Sequence, residues 1–234
     1  MIYSWRIRLC GSTEKTSKYN LLFTGIQAEL DGGFMEKGKF FSAKRITGLA
    51  VLLALVIVLQ VFGGYFKIGA TSLSFVLVPI VLAGLLYGPI EAGILGFAFG
   101  IIVIIQGAMG VDGFTLILLQ DHPVWTVLLC IVKGTMAGVV AGLLFKALKK
   151  KNVYVAIFVA SAAAPIVNTG LFILGSLAFL QDTLKANFVG GQTVVYFLVV
   201  VCAGVNFLVE LAINLIVAPG LHTVYKVVEK SIKK

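Results

Sequence analysis

Long apolar stretches separated by short polar connections are the dominant pattern of this chain. A helix needs roughly 20 apolar residues to cross the hydrocarbon core of a bilayer. The segments that approach this length are residues 46–66, 72–87, 89–106, 123–145, 153–180 and 193–218. The second is marginal in length and adjoins the third at Gly88-Pro89, where proline suits the first turn of the next helix. The pattern predicts an all-α integral membrane protein with six transmembrane helices.

The composition agrees with a membrane location. The chain is 59% hydrophobic and only 12% charged, whereas soluble domains average about 25% charged residues. Its cysteines (Cys10, Cys130 and Cys202) show no paired spacing, so no disulfide framework or metal site is predicted. The net charge of +9 does not indicate nucleic acid binding, because the basic residues are distributed by topology.

Lysine and arginine concentrate on one side of the predicted membrane. Twelve lie there: Lys37, Lys39, Lys44, Arg45, Lys146, Lys149, Lys150, Lys151, Lys226, Lys230, Lys233 and Lys234. The opposite side has Lys67 and Lys185. Cytoplasmic loops carry the excess of positive residues in membrane proteins. Both termini are therefore predicted to be cytoplasmic, which agrees with an even number of spans.

The first 34 residues differ from the rest, being polar and mixed without the apolar core of a signal peptide. Met35 begins a segment that looks like an ordinary membrane-protein N-terminus. We therefore interpret residues 1–34 as a non-native or disordered extension, with translation starting at Met35. Residues 35–234 form the predicted six-helix membrane domain.

Small residues recur at helical spacing in three of the predicted spans. The third has Gly88, Ala92, Gly96 and Gly100, and the fourth has Gly134, Gly138 and Gly142. Such faces let helix backbones approach closely, which drives helix association in lipid. We expect most of them to pack inside the bundle. The first span has a weaker version in Gly48, Ala50 and Ala54.

Several polar side chains interrupt the last three spans. Lys133 lies about 15 Å from the predicted external end of the fourth span, where a charge costs about 2.5–3.5 kcal/mol on insertion scales. Span five carries Asn168, and span six carries Asn206 and Glu210 one turn apart on one face. The functional interpretation is an outward-opening polar cavity between spans four, five and six.

A structural alternative is that Lys133 and Glu210 neutralise each other. Counting from the helix ends places Glu210 about 10 Å deeper than Lys133, so a direct pair needs helix tilt or extended side chains. Asn206 is nearer to Lys133 in depth. Asn214, near the predicted cytoplasmic end, is interpreted as structural.

Further substrate-binding candidates lie near the external side. They are Gln106 at the end of span three, Lys67 in the first external loop, and Trp125 at the start of span four. Trp125 would stack on a flat ligand or, alternatively, act as an interfacial aromatic anchor. The sequence has no phosphate-binding loop and no HExxH or GxSxG motif, so neither an ATP site nor a catalytic site is predicted. No cofactor is predicted either.

Parts of the chain resemble the substrate-binding S components of energy-coupling factor (ECF) vitamin transporters. The run "GATSLSFVLVPIVLAGLLYGPIEAGILGFAFGIIVI" is similar to their second and third helices. The segments "VLLCIVKGTMAGVVAGLLFKAL" and "APIVNTGLFILG" are similar to the fourth and fifth. The resemblance covers roughly residues 40–225, and length and span number contribute as much to it as any single motif.

The resemblance implies a binding subunit in the bacterial plasma membrane. Such a protein captures a water-soluble vitamin from outside and associates with a transmembrane coupling subunit and two cytosolic ATPases. Small residues on the first helix form part of the docking surface in this family, and Ala50 and Ala54, with Gly48 before them, match that pattern. The family site, built from the first external loop and helices four to six, coincides with the polar groups above.

The substrate and the mode of energy coupling stay open at this point. Lys133 would suit the carboxylate of pantothenate, and the aromatic residues would suit riboflavin. The main alternative is a stand-alone secondary transporter or facilitator, in which Glu210 would couple protons, although no internal repeat is evident. A membrane enzyme or assembly scaffold is a third reading, which the lack of a catalytic motif disfavours.

Overall fold

A computed structural model of the protein describes residues 43–63, 67–68, 71–72 and 75–232. By its contacts the chain divides into two compact units, Met1–Ile46 and Thr47–Lys234. The interpretation of residues 1–34 and of Met35 falls outside the described residues. The cavity, packing and site described below belong to the second unit.

The described part is built almost entirely from helices. In chain order its elements are α1 (Ala43–Gly63), β1 (Lys67–Ile68), β2 (Thr71–Ser72), α2 (Leu77–Leu86), α3 (Pro89–Ala108), α4 (Gly113–Asp121), α5 (Pro123–Leu148), α6 (Val153–Phe179), α7 (Gln181–Asn187), α8 (Val194–Tyr196), a π-helical segment (Phe197–Gly204) and α9 (Val205–Ile232). The two short strands pair antiparallel, with Lys67 opposite Ser72.

Five helices in the described residues are long and apolar enough to cross a membrane. They are Arg45–Gly63, Pro89–Ala108, Pro123–Leu148, Val153–Phe179 and the continuous stretch Val194–Lys230. Large apolar side chains are exposed on several of them, for example Val51, Ile94 and Ile216. In water such surfaces would be unfavourable, whereas in a bilayer they face lipid. The chain is therefore a helical multi-pass membrane protein.

The second predicted span is shorter than the sequence pattern suggested. In place of residues 72–87, the structure has the ten-residue helix α2, Leu77–Leu86. At 1.5 Å per residue its length is about 15 Å, half the roughly 30 Å of a hydrocarbon core. Most of its side chains are buried, because α2 packs against α3, α5, α6 and α9. It is apolar because it lies in the middle of the bundle, which its composition alone did not reveal.

The small-residue faces of α3 and α5 pack against each other. A Cβ atom added to Gly96 would lie 2.1 Å from the carbonyl oxygen of Gly134, and one added to Gly138 would lie 2.3 Å from that of Ala92. The two backbones are thus too close for any side chain at these positions. The prediction that these glycines serve internal packing is confirmed.

Two short helices cover one end of the bundle. The hydroxyl of Thr126 in α5 donates to the carbonyl oxygen of Leu118 in α4 over 2.9 Å. The amide of Asn187 in α7 donates to a carboxylate oxygen of Asp121 over 3.3 Å. We call this the α4 end. At the other end of α5 lies the connection to α6, with Lys149, Lys150 and Lys151.

Candidate functional site

A cavity of about 680 Å³, counting the part open to solvent, lies between six of the helices and the π-helical segment. Its lining combines aromatic, amide and charged side chains: Gln60, Phe99, Val103, Gln106, Asp112, Phe114, Thr115, Lys133, Asn168, Thr169, Phe172, Cys202, Asn206, Phe207 and Glu210.

Lys133 contributes the cavity's positive charge from the middle of α5. Its ammonium lies 5.1 Å from the centroid of the Phe172 ring on α6, within the range of a cation–π interaction. Lys133 and Glu210 line the same cavity. The alternative that these two side chains neutralise each other stays a prediction.

Asn168 brings a buried amide into the cavity from α6. The side chain is 7% exposed, and its Oδ1 atom has no hydrogen-bond partner in the described structure. One turn earlier, Pro165 lies inside the same helix. Proline has no backbone N–H, so it leaves the carbonyl of Ser161 without its usual helical partner. This part of α6 is therefore unusually polar for a buried helical surface.

The π-helical segment and α9 form another wall. Asn206, Phe207 and Glu210 line the cavity from α9, and Cys202 lines it one turn earlier from the π-helical segment. Residues three and four positions apart share a face of a helix, which explains why this set converges. Glu210 is 3% exposed and is the most buried carboxylate of the lining.

Gln60 and Gln106 close the cavity from α1 and α3. The Nε2 atom of Gln60 donates to Oε1 of Gln106 over 2.8 Å. The Nε2 atom of Gln106 donates to the backbone oxygen of Gln60 over 3.2 Å. Gln106 was a sequence-predicted site residue, whereas Gln60 was not. The pair extends the site beyond the spans from which the sequence analysis built it.

Aromatic rings cover the cavity at the α4 end. Phe114 of α4 contacts Phe172, Phe188 and Phe197, with ring centroids 4.9–6.5 Å apart. Phe114 and Phe172 also line the cavity. Beside them, the Thr115 hydroxyl donates to Asp112 over 2.5 Å, which fixes a carboxylate at the start of α4. The short helix α4, which follows α3 in the chain, thus lies over the site.

Two predicted site residues are not among the described lining. Trp125 stacks on Phe179 at a centroid distance of 3.9 Å and an interplanar angle of 5°, and it is 40% exposed. This geometry favours the alternative of an aromatic anchor over ligand contact. Lys67 lies on β1, and its side chain is outside the described part of the structure.

The predicted docking residues divide into two groups on α1. Ala50 and Ala54 are exposed on its surface. Gly48 faces inward instead, because a Cβ atom there would lie 1.8 Å from the hydroxyl oxygen of Tyr87. Gly48 therefore serves contact within the chain, and the exposed small face consists of Ala50 and Ala54.

The cavity also contains residues that sequence reasoning did not select. Gln60 and Asp112 carried a usable signal, since each is polar beside long apolar runs. Phe99, Phe172 and Phe207 carried none, because phenylalanine in a span suits lipid as well as a ligand. Among the described residues, no group of three His, Cys, Asp or Glu side chains is placed to hold a metal ion.

This arrangement can bind a small molecule that is partly flat and partly polar. The rings offer apolar faces, Lys133 offers a cation, and the amides and carboxylates offer hydrogen bonds. Apolar helices around such a cavity define a membrane protein that recognises a small solute. The family model "ECF transporter, substrate-specific component" matches residues 44–222, most of the chain, and the protein belongs to this family. Searches of curated proteins and of solved structures gave no match.

Proposed function

We propose that this protein is the membrane-embedded subunit that captures a small water-soluble vitamin for an ATP-driven ECF transporter. The family consists of substrate-specific transporter components rather than enzymes. The observation that carries the proposal is the cavity, which brings Lys133, Asn168, Asn206 and Glu210 together from three helices. Buried polar groups at membrane depth are expensive and mark functional sites by default.

The vitamin that we propose is pantothenate or a riboflavin-like compound. Lys133 would hold an anionic group such as the carboxylate of pantothenate, since it is the cation that lines the cavity. The Phe99, Phe114 and Phe172 rings would hold a flat heterocycle. Asn168, Asn206, Gln106 and Glu210 would orient the polar part, with Lys67 of β1 as a further contact.

The proposed topology places both termini in the cytoplasm of a bacterial cell. It has six spans, of which α2 is the second along the chain and the shortest. The basic α5–α6 connection supports this orientation, because positive residues favour the cytoplasmic side. The α4 end then faces outward, so α4 covers the cavity on the side from which a vitamin arrives. A short α2 is compatible with six spans only because other helices surround it.

The coupling module would dock on α1. We propose that a transmembrane coupling subunit contacts the exposed face formed by Ala50 and Ala54 and links this chain to two cytosolic ATPases. Small side chains permit the close approach that stabilises helix pairs in lipid. Ligand binding and docking would then use different sides of one helix, since Gln60 of α1 lines the cavity.

Reconstitution into proteoliposomes tests the proposal. The chain alone should bind riboflavin or pantothenate but neither hydrolyse ATP nor accumulate the vitamin. Adding the coupling subunit, the ATPases and internal ATP should give uptake. Accumulation by the chain alone under a proton or sodium gradient would contradict the proposal and favour a secondary transporter, in which the buried Glu210 would be the coupling group.

A further inference from the structure

Gln60 is a buried polar residue near the end of an otherwise apolar helix. It is 4% exposed and follows the run "LALVIVL" in α1. Its side chain lines the cavity. Burying an amide is unfavourable unless both of its halves find hydrogen-bond partners. Each polar atom of the Gln60 side chain is therefore expected to need a hydrogen-bond partner.

The hydrogen bonds to Gln106 fix the orientation of both amides. The last four carbonyls of a helix have no intrahelical partner, and Gln60 is the fourth residue from the end of α1. The Nε2 atom of Gln106 donates to this carbonyl, which turns its Oε1 atom toward the Gln60 side chain. Only an N–H can face that oxygen, so Gln60 presents its Nε2 atom there.

The consequence is an acceptor that the protein does not use. Because its Nε2 atom is held by Gln106, Gln60 directs Oε1 away from the pair. That oxygen is buried and has no hydrogen-bond partner in the described structure. The Oδ1 atom of Asn168 on α6 is also buried without a hydrogen-bond partner in the described structure, and Asn168 lines the same cavity. A buried acceptor without a donor is unfavourable, so each oxygen is a position where a ligand donor gains binding energy.

A ligand that is purely anionic and poor in donors would suit Lys133, which also lines the cavity. It would leave Gln60 Oε1 and Asn168 Oδ1 without hydrogen-bond donors.

We propose that Gln60 Oε1 and Asn168 Oδ1 accept hydrogen bonds from hydroxyl groups of the ligand. Gln60 is thus a specificity-determining residue on α1, and Gln106 is the residue that positions it. The inference rests on the proposed function, since it takes the cavity to be the vitamin site. It adds that the substrate class is donor-rich, with hydroxyl groups next to Gln60 and Asn168.

Titration calorimetry with paired compounds tests the inference. The first pair is riboflavin and lumiflavin, which has a methyl group in place of the hydroxylated side chain. The second is pantothenate and its di-O-methyl ether. The variant Gln60→Met preserves the length of the side chain and removes the amide. Of the two donor-bearing compounds, the protein is expected to bind one. We expect Gln60→Met to lower the affinity for that compound about tenfold, the usual effect of one lost hydrogen bond. The affinity for the donor-poor compound should change less than about twofold, because this compound lacks the group with which Gln60 interacts. The comparison has the form of a double-mutant cycle.

Two further variants keep the test decisive. Asn168→Leu removes the second acceptor and should give the same selective loss, even if Gln60→Met fails to fold. Asn214→Leu is the matched control, because Asn214 is equally buried with an unpaired Oδ1 atom but does not line the cavity. It should leave the ratio of the two affinities unchanged.

The outcomes separate the inference from the proposed function. An equal loss for both members of a pair, or no loss, would overturn the inference while the proposed function stands. If the unsubstituted protein binds none of the water-soluble vitamins, the proposed function is overturned and the inference with it.

Discussion

The ammonium of Lys133 lies 5.1 Å from the centroid of the Phe172 ring, and both side chains line one cavity. The cation in the middle of the apolar helix α5 is thus stabilised by an aromatic face on α6. A ring attracts a cation without accepting all of its N–H groups, so the ammonium retains donors for a ligand. This relationship explains how a lysine is tolerated halfway along an apolar helix and why it is useful there.

Replacing Lys133 by methionine should abolish tight vitamin binding while the protein stays folded and monodisperse. Removing one partner of a buried charged hydrogen bond costs about 2–5 kcal/mol, or roughly 30-fold or more in affinity. Titration calorimetry with riboflavin and pantothenate measures the effect. Lys149→Met is the matched control, because Lys149 also lies over a ring, 5.8 Å from Phe145, but outside the cavity. Equal dissociation constants for Lys133→Met and the unsubstituted protein would show that Lys133 is structural.

The double substitution Ala50→Trp/Ala54→Trp should separate docking from binding. Both alanines are exposed on α1, and two indole rings would hold a partner helix several ångströms away. Vitamin affinity should persist, whereas copurification with the coupling subunit and uptake in cells should be lost. Ile94→Trp, at an exposed position of α3, is the control and should transport normally. Normal uptake by the double variant would exclude this face of α1 as the docking surface.

Gly96→Ala should destabilise the bundle. The added methyl carbon would lie 2.1 Å from the Gly134 carbonyl oxygen, so α3 and α5 must separate. Overpacking of this kind costs about 1–3 kcal/mol, which a lowered midpoint of thermal unfolding in detergent would reveal. Gly220→Ala provides the comparison, since no atom lies within 4 Å of its added carbon. A similar midpoint for both variants would contradict the close packing of α3 and α5.

Trp125→Leu should lower stability without changing vitamin affinity. The indole stacks on Phe179 in the structure, and aromatic pairs contribute about 0.5–1.5 kcal/mol beyond their buried area. Thermal unfolding and calorimetry on the same sample measure the two effects. Phe179→Leu should lower the stability by a similar amount and should also leave vitamin affinity unchanged. A markedly weaker dissociation constant for Trp125→Leu alone would restore Trp125 as a ligand contact.

The sequence was most informative where a polar residue interrupts an apolar helix. Lys133, Asn168, Asn206, Glu210 and Gln106 stand out against their surroundings, and helical spacing relates those that share a helix. The structure brings all of them to one cavity. Their convergence across helices was expected only in part, because periodicity describes one helix at a time and does not fix how neighbouring helices rotate.

The sequence was least informative for apolar residues, because these residues suit both a lipid-facing surface and the interior of the protein. The cavity phenylalanines look the same as lipid-facing ones in a chain with 17 of them. Likewise, α2 has the composition of a full-length membrane span, yet it is a ten-residue helix enclosed by protein. Gln60 was overlooked although it follows a long apolar run, because the sequence does not show that Gln106 of another helix lies beside it.

Analysis of the small molecules that accompany the purified protein tests the central claim most directly. The intact chain would be purified in detergent after brief exposure to a mixture of water-soluble vitamins, then denatured, and the released compounds identified by mass spectrometry. We expect the unsubstituted protein to release a stoichiometric amount of one donor-rich vitamin, and Lys133→Met to release little or none. Release of no vitamin by the unsubstituted protein, or of equal amounts by both, would contradict the assignment of this cavity as the vitamin site.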